Sequence, residues 1–457
     1  MELFEHQKKA IALSERFPSR MIVRSPGTGK TLIGINIALN QLQHDNHSKI
    51  LWAGPANLEP QYKNAFGAFS LPYHSIFDER DIRRGVCNIC SFDMLRLNKK
   101  LLCSVKWDLV IIDEIHKAKN LLTQTNKALW ALRRKSKRWY AFTGTPFQNN
   151  PYEFFELVSL SLGRRVTLDC EECLAFRSPR NTPIRNFLRR IGFKLSRVNQ
   201  GPIIGVKKPD KLLAIFGDIV DYMPHDMYHR ECRLPEVHVH PVEVEMTQDE
   251  IAKYQECAKK LTHKKKFRNF ISDNLDDEKI DGYFNNIAEL RTISISDSKI
   301  HKAIEIITAI LKKASDARIL IFSNFVEKGL LKLSQELDRQ DIGHLFYHGG
   351  VSTKHRDFFV SSYLSGTKQI MLLSPVGFEG LDLYGTTHVI ILDPHYNPER
   401  TTQLISRAVR AYSSVSEIDV VQLLSVSKHL KMTIDQSIVA IANRKTRLAQ
   451  FLENILS

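Results

Sequence analysis

Short apolar runs and helical stretches alternate through the first 150 residues: Met-Ile-Val at 21–23, Ile-Leu-Trp-Ala at 50–53, Leu-Val-Ile-Ile at 109–112 and Trp-Tyr-Ala-Phe at 139–142. Runs this short, apolar at every position and separated by helical periodicity, predict buried strands of a parallel sheet covered by helices. Behind the first run, Leu32, Ile33, Ile35, Ile37 and Leu39 mark one such helix. The pattern returns after residue 315, with Ile-Leu-Ile-Phe at 319–322, Met-Leu-Leu at 371–373, Val-Ile-Ile-Leu at 389–392 and Val-Val-Gln-Leu-Leu at 420–424. An α/β fold of two tandem lobes follows, residues 1–160 and 299–457. Between them, residues 161–298 read as a basic, mainly helical insert. No repeat of solenoid length and no low-complexity tract interrupts this order.

Charge changes the picture in that middle region. From Arg177 to Lys211 ten basic residues, among them Arg185, Arg189 and Arg190, face one acid, Asp210. A second cluster, Lys259, Lys260, Lys264, Lys265, Lys266 and Arg268, is followed by acids that offset it. One-sign charge calls for an external partner, and a net charge of +15 over 457 residues favours nucleic acid, where each neutralised phosphate releases counterions. The N-terminus has no apolar core of signal length, no stretch reaches a membrane span, and the seven cysteines suit a reducing compartment. These predict an intracellular protein, in the cytoplasm of a prokaryotic or phage-infected cell or in a nucleus, with no membrane partner. Cys87 with Cys90 and Cys170 with Cys173 have zinc-ligand spacing. The first pair, however, lies in a strand-like run where residues three apart point to opposite faces, so buried thiols are the expectation.

Two segments carry candidate chemistry. Arg24-Ser25-Pro26-Gly27-Thr28-Gly29-Lys30-Thr31 lies between a predicted strand and a predicted helix. Its glycines let the backbone fold around phosphate oxygens, with Lys30 on the β and γ phosphates and the Thr31 hydroxyl on Mg²⁺. The second, Asp113-Glu114-Ile115-His116, ends an apolar strand at the carboxyl edge of the sheet, where open α/β folds bind ligands. Asp113 is then the Mg²⁺ carboxylate, Glu114 the group that orients and deprotonates water, and His116 a link to neighbouring segments. In the second lobe the segment Gln403 to Arg410 would, if helical, put Arg407 and Arg410 on one face. Arg407 and Arg410, three residues apart, offer guanidiniums for charge on a transferred phosphoryl group. The second lobe has no Gly-rich loop ending in Lys-Thr.

In order and wording these segments resemble superfamily 2 helicases and translocases, and within them the Swi/Snf-type branch. The likeness covers almost the whole chain. Leu3-Phe4-Glu5-His6-Gln7 resembles the adenine-reading segment, which assigns Gln7 to the nucleotide along with Ser25 to Thr31. The segment 50–58 looks like a motif that touches one DNA strand, through Pro55 and Asn57. Thr143-Gly144-Thr145-Pro146, followed by Phe147-Gln148-Asn149, matches the Swi/Snf pattern and assigns Thr143, Gly144 and Thr145 to coupling. This disfavours an RNA-specific reading. Further along, Ser323 and Asn324, Gly349 and Gly350, and Ser374 fall in nucleic-acid motifs, while Gly380 and Asp382 fall in a nucleotide motif. Three departures stand out: Ser406 and Val409 replace a usual glycine and histidine, and Ser374-Pro375-Val376 replaces Ser-Thr-Arg.

The resemblance implies two RecA-like lobes, with ATP and Mg²⁺ as cofactors and duplex or branched DNA as partner. It implies a DNA-dependent ATPase in which lobe closure brings Arg407 and Arg410 to phosphates held by Lys30. Three readings stay open: strand separation at forks or junctions, Swi/Snf-type duplex translocation that displaces bound proteins, and an ATP-controlled DNA-binding switch with slow hydrolysis. A recruiting protein partner is compatible with all three.

Overall fold

The computed structural model describes residues 3–76, 81–120, 123–144, 151–164, 174–176, 203–206, 216–217, 219–223, 227, 231–262, 284–378, 381–410 and 413–456. The chain divides into two compact units that change over near residue 225.

The first unit is built on a seven-stranded sheet. Its strands are β1 (Ser19–Val23), β2 (Lys49–Gly54), β3 (Tyr73–Ser75), β4 (Val86–Ser91), β5 (Trp107–Ile112), β6 (Ser136–Thr143) and, after a small antiparallel pair β7 (Leu174–Phe176) and β8 (Ile203–Val206), β9 (Val220–Tyr222). All seven run parallel in the order β3-β4-β2-β5-β6-β1-β9. Helices cover both faces, so neighbouring strand residues enter different cores: Leu51 and Val110 pack with Trp107, Trp139 and Phe154, whereas Trp52 and Ile111 pack with Ile33, Ile37, Phe66 and Phe142. This two-sided burial is why the runs read as apolar at every position. Cys87 and Cys90 obey the same alternation. They are free, buried thiols in the two opposite cores, and burial pushes both up, Cys90 to about 12. Cys170 and Cys173 lie outside the described residues. No group of three metal-ligating side chains occurs among the described residues.

The second unit carries a six-stranded parallel sheet. It is made of β10 (Glu236–Glu245), β11 (Ile319–Phe322), β12 (Leu345–Tyr347), β13 (Ile370–Leu373), β14 (His388–Ile391) and β15 (Glu417–Val426), in the order β10-β15-β14-β11-β13-β12. Its core joins Ile304 and Ile307 of the helix Asp297–Lys313 to Ile319, Ile321, Leu333, Leu372 and Leu423. A fully buried ion pair, Lys299 Nζ to Asp435 at 2.5 Å, ties that helix to the start of the helix Ile434–Leu456. Asp435 also accepts the Ser425 N–H.

The stretch 161–298 departs from the expected helical insert. Its described residues hold the helices Gln248–Thr262 and Phe284–Ser294, but also β9, which pairs with β1, and β10, which pairs with β15 along ten residues. The middle of the stretch thus supplies an edge strand to each sheet. The signal in β9 is three residues long, and in β10 the alternation of Val237 and Val239 is broken by Pro241 before Val242 and Val244 resume it. The arginines at 185, 189 and 190 and the lysines at 264–266 lie outside the described residues. Among the described residues no helix is long and apolar enough to cross a membrane.

Candidate nucleotide site

The carboxyl edge of the first sheet collects the candidate residues because parallel neighbours all end on one side. Strands β2, β5, β6 and β1 lie next to one another, and they deliver Pro55, Asp113, Thr143 and the glycine-rich loop in turn. Gly27 and Gly29 have φ of 84° and 76°, a region that side-chain-bearing residues rarely adopt. Gly29 ends the loop and starts the helix Lys30–His44, and a Cβ there would run into the Gln7 amide. Gln7 is buried on the helix Glu5–Arg16 and accepts the Phe4 N–H at 3.0 Å. The adenine-segment glutamine and the phosphate loop are therefore packed together, although the sequence separates them by more than twenty residues.

Lys30 turns its ammonium back onto the loop carbonyls of Arg24 at 3.2 Å and Ser25 at 3.4 Å. Arg24 stands where the simplest loop pattern has glycine, and it is almost completely buried. Its guanidinium meets Asp221 of β9 in an ion pair of 2.7 Å and donates to the Asp221 carbonyl at 2.5 Å. Its backbone N–H donates to Thr143 O. The loop is thereby anchored to strands on both sides of β1. Sequence reading did not find Asp221, because nothing local marks a three-residue edge strand as the partner of an arginine nearly two hundred positions away.

Asp113 is buried and takes two hydrogen bonds, from Tyr62 Oη to Oδ2 and from the Glu114 N–H to Oδ1, each 2.9 Å. Burial and the neighbouring Glu114 charge push its carboxyl up to about 6, against the pull of Lys30 and of those hydrogen bonds. A buried carboxylate in that position gains from a cation. Glu114 adopts φ 51°, and its Oε2 lies 3.1 Å from His116 Nδ1. The same nitrogen lies 3.2 Å from the buried Thr143 hydroxyl. A Glu114–His116–Thr143 chain thus joins the end of β5 to the end of β6. Together, a glycine loop with no room for a Cβ, a lysine folded over it and a buried carboxylate needing a cation fit a nucleotide with Mg²⁺. The holders would be Lys30, Thr31 in the first helical turn and Asp113. Thr145 lies outside the described residues.

In the second unit, Gln403 and Arg407 sit on the helix Pro398–Ala408, which ends before Arg410. Val409 is extended, so the two guanidiniums do not share a helical face. Instead both reach the same segment: Arg407 Nη1 and Arg410 Nη2 donate to Leu381 O at 3.4 and 3.1 Å, and Arg410 Nε pairs with Asp382 at 2.5 Å. Gly380 lies outside the described residues. Ser406, in the usual glycine position, satisfies its hydroxyl on Gln403 O.

The proposed nucleic-acid residues divide by exposure. Asn57, Gly349 and Gly350 are exposed, while Pro55 is buried. The turn at 348–350 is held by Arg356, whose Nη2 donates to the carbonyls of His348 and Gly349. The Ser323 and Ser374 side chains are fully buried, so in this conformation neither presents its hydroxyl to a strand. Ser323 donates to Asp393, which also accepts Asn324 Nδ2 at 2.7 Å and Arg291 Nη2 at 3.0 Å. Ser323 and Asn324 thus belong to an internal polar network around Asp393, a role that sequence order alone did not disclose.

Comparison with known proteins agrees with this architecture. A model of the SNF2-related domain matches residues 19–299, and a model of the helicase conserved C-terminal domain matches residues 298–412. The chain belongs to the SNF2-related family. It is thus of the Swi/Snf-type branch of superfamily 2, the ATP-dependent helicases and translocases. L538 of Acanthamoeba polyphaga mimivirus, named as an ATP-dependent RNA helicase, is 29% identical over 138 residues, 28% of this chain and 31% of that protein. YqhH of Bacillus subtilis, named as an uncharacterized ATP-dependent helicase, is 25% identical over 446 residues, 92% of this chain and 74% of that protein. The chain therefore spans about a third of the first relative and about three quarters of the second. Among solved structures, the Sulfolobus solfataricus SWI2/SNF2 ATPase core in complex with dsDNA matches 99% of this chain and 93% of that one, at 20% identity and TM-score 0.42. In this SNF2-family chain the two parallel-sheet units are of the α/β fold class that the apolar runs predicted.

Proposed function

We propose that the chain is a DNA-stimulated ATPase that couples hydrolysis to movement along duplex or branched DNA. The observation that carries this reading is the carboxylate pair Asp113 and Glu114, set on the same sheet edge as the Lys30 loop and joined through His116 to Thr143. Bound MgATP supplies the phosphoryl group to be cleaved and a divalent charge that polarises it. Lys30 and the loop backbone would hold the phosphates, and Thr31 and Asp113 would hold the metal. The Glu114 carboxylate accepts a proton from the attacking water. His116 lies between that carboxylate and Thr143, so a change at Glu114 is felt at the end of β6. Arg407 and Arg410 are the guanidiniums we assign to the charge that develops on the transferred group. DNA as the track is supported by family membership and by the net charge of +15. We further assign strand contacts to Asn57, Gly349 and Gly350.

The test compares ATP turnover with and without DNA for the wild type, Lys30→Ala, Glu114→Gln and Arg410→Ala. All three variants are expected to lose at least about a hundredfold in turnover. Unchanged turnover in the three would sink the site assignment. Stimulation across single-stranded, duplex, forked and four-way DNA, with matched RNA, identifies the track, and stimulation by RNA alone would overturn the DNA reading.

A further inference from the structure

The hydroxyl of Tyr62 has a place that packing alone does not require. Tyr62 lies on the helix Glu59–Ala68, which follows β2, and is 3% exposed. Its ring packs against Trp52 and Phe66, with centroids at 5.5 and 6.3 Å. A phenylalanine would fill that space equally well. A buried tyrosine hydroxyl is costly without a partner, and this one donates to Asp113 Oδ2 at 2.9 Å. The opposite oxygen, Oδ1, is held by the Glu114 N–H at 2.9 Å, so the carboxylate is restrained from both sides against rotation. Gly54, the last residue of β2, makes the approach possible, since a Cβ there would collide with the Tyr62 hydroxyl.

We propose that Tyr62 is a positioning residue for metal–nucleotide binding, its hydroxyl fixing the Asp113 carboxylate in the orientation that receives Mg²⁺. The proposal rests on Asp113 being the metal carboxylate. Groups one step removed from a metal orient its ligands, and their loss weakens metal affinity by roughly ten- to a hundredfold. Tyr62 is well suited to this because its ring is locked by aromatic neighbours on a covered sheet face, so the hydroxyl cannot swing to water.

The experiment measures Mn²⁺ binding to the full chain with ADP by electron paramagnetic resonance, for the wild type, Tyr62→Phe, Gly54→Ala and Asp113→Asn. It also measures metal-free ADP binding and the Mg²⁺ concentration that gives half-maximal ATP turnover. Tyr62→Phe is expected to weaken Mn²⁺ about tenfold and raise the half-maximal Mg²⁺ similarly. Metal-free ADP binding should stay close to wild type and added Mg²⁺ should restore turnover, a pattern that a purely structural loss would not give. Gly54→Ala, which keeps the hydroxyl but displaces it, is expected to reproduce the defect and serves as the deciding variant if Tyr62→Phe does not fold. Wild-type Mn²⁺ affinity in Tyr62→Phe alongside a weakened Asp113→Asn overturns the role of Tyr62 alone. Wild-type affinity in Asp113→Asn overturns the reading of Asp113 on which it rests.

Discussion

At Gly29 two constraints fall on one atom position. The backbone φ is 76°, which costs a side-chain-bearing residue roughly 1–2 kcal/mol, and the space for a Cβ is taken by the Gln7 amide. Gly29→Ala is expected to weaken binding of a fluorescent ATP analogue by more than about tenfold, through displacement of Gln7 as well as strain in the loop. Near-wild-type binding would show that the loop has room the geometry denies. The second glycine of the motif, Lys30 and the two carboxylates were all legible in the sequence, because each is required by chemistry at a fixed spacing. Tyr62 was not. With Phe66 four residues on, it reads as one apolar helix face, and only the neighbouring placement of β2 and β5 brings its hydroxyl to the end of a different strand. Ser323 shows the converse: its motif was legible, but its hydroxyl is turned inward onto Asp393, seventy positions along the chain.

Helix ends and strand edges carry much of the second unit. Glu250 serves two helices at once: it accepts the Thr247 N–H at 2.8 Å at the start of its own helix, and the Ser298 N–H and hydroxyl, each at 2.9 Å, at the start of the helix Asp297–Lys313. Burial alone would raise its carboxyl, but these hydrogen bonds outweigh burial and hold it below the ordinary glutamate value. A depressed carboxylate contributes stability that is present above the unfolded value near ~4.3 and is lost as pH falls through the lower folded value. Glu250→Gln is therefore expected to cost about 1–2 kcal/mol at neutral pH, with a smaller difference from wild type in thermal unfolding as the pH falls below that unfolded value. An unchanged difference across that range would remove Glu250 from the acid response. In the first unit, Asp221→Asn would leave the buried Arg24 guanidinium without its counter-charge. It is expected to destabilise that unit by about 3 kcal/mol or more in urea unfolding, and a loss near zero would mean that the pair is dispensable. The Thr-x-x-Glu spacing at 247–250 is readable from sequence as a cap, whereas the second helix that it serves is not. Likewise the end of the helix Pro398–Ala408, which separates Arg407 from Arg410, has no proline or glycine to announce it.

Taken whole, the molecule is two parallel-sheet units with a large positive excess, and both sheets were foreshadowed by two blocks of uniformly apolar runs. The edge strands β9 and β10 were not: β9 is three residues long and one of them is Asp221, while β10 is mostly exposed or half-buried along its length and so needs less apolar sequence. If phosphates dominate DNA binding, affinity falls steeply with salt. About six neutralised phosphates predict a loss on the order of a thousandfold between 50 and 200 mM salt, with little dependence on base sequence. Fluorescence anisotropy over a salt series on two unrelated duplexes checks this, and a flat or sequence-dependent profile would contradict it. The pairing of β9 with β1 has another consequence, for the order of assembly during synthesis. The strand that carries the phosphate loop leaves the ribosome some two hundred residues before the strand that closes its outer edge, and Arg24 waits as long for Asp221. Until then β1 offers an open row of backbone donors and acceptors beside an unmatched cation, a surface prone to mispairing. Nascent chains halted before residue 220 should therefore depend on chaperones in a way that chains halted after it do not.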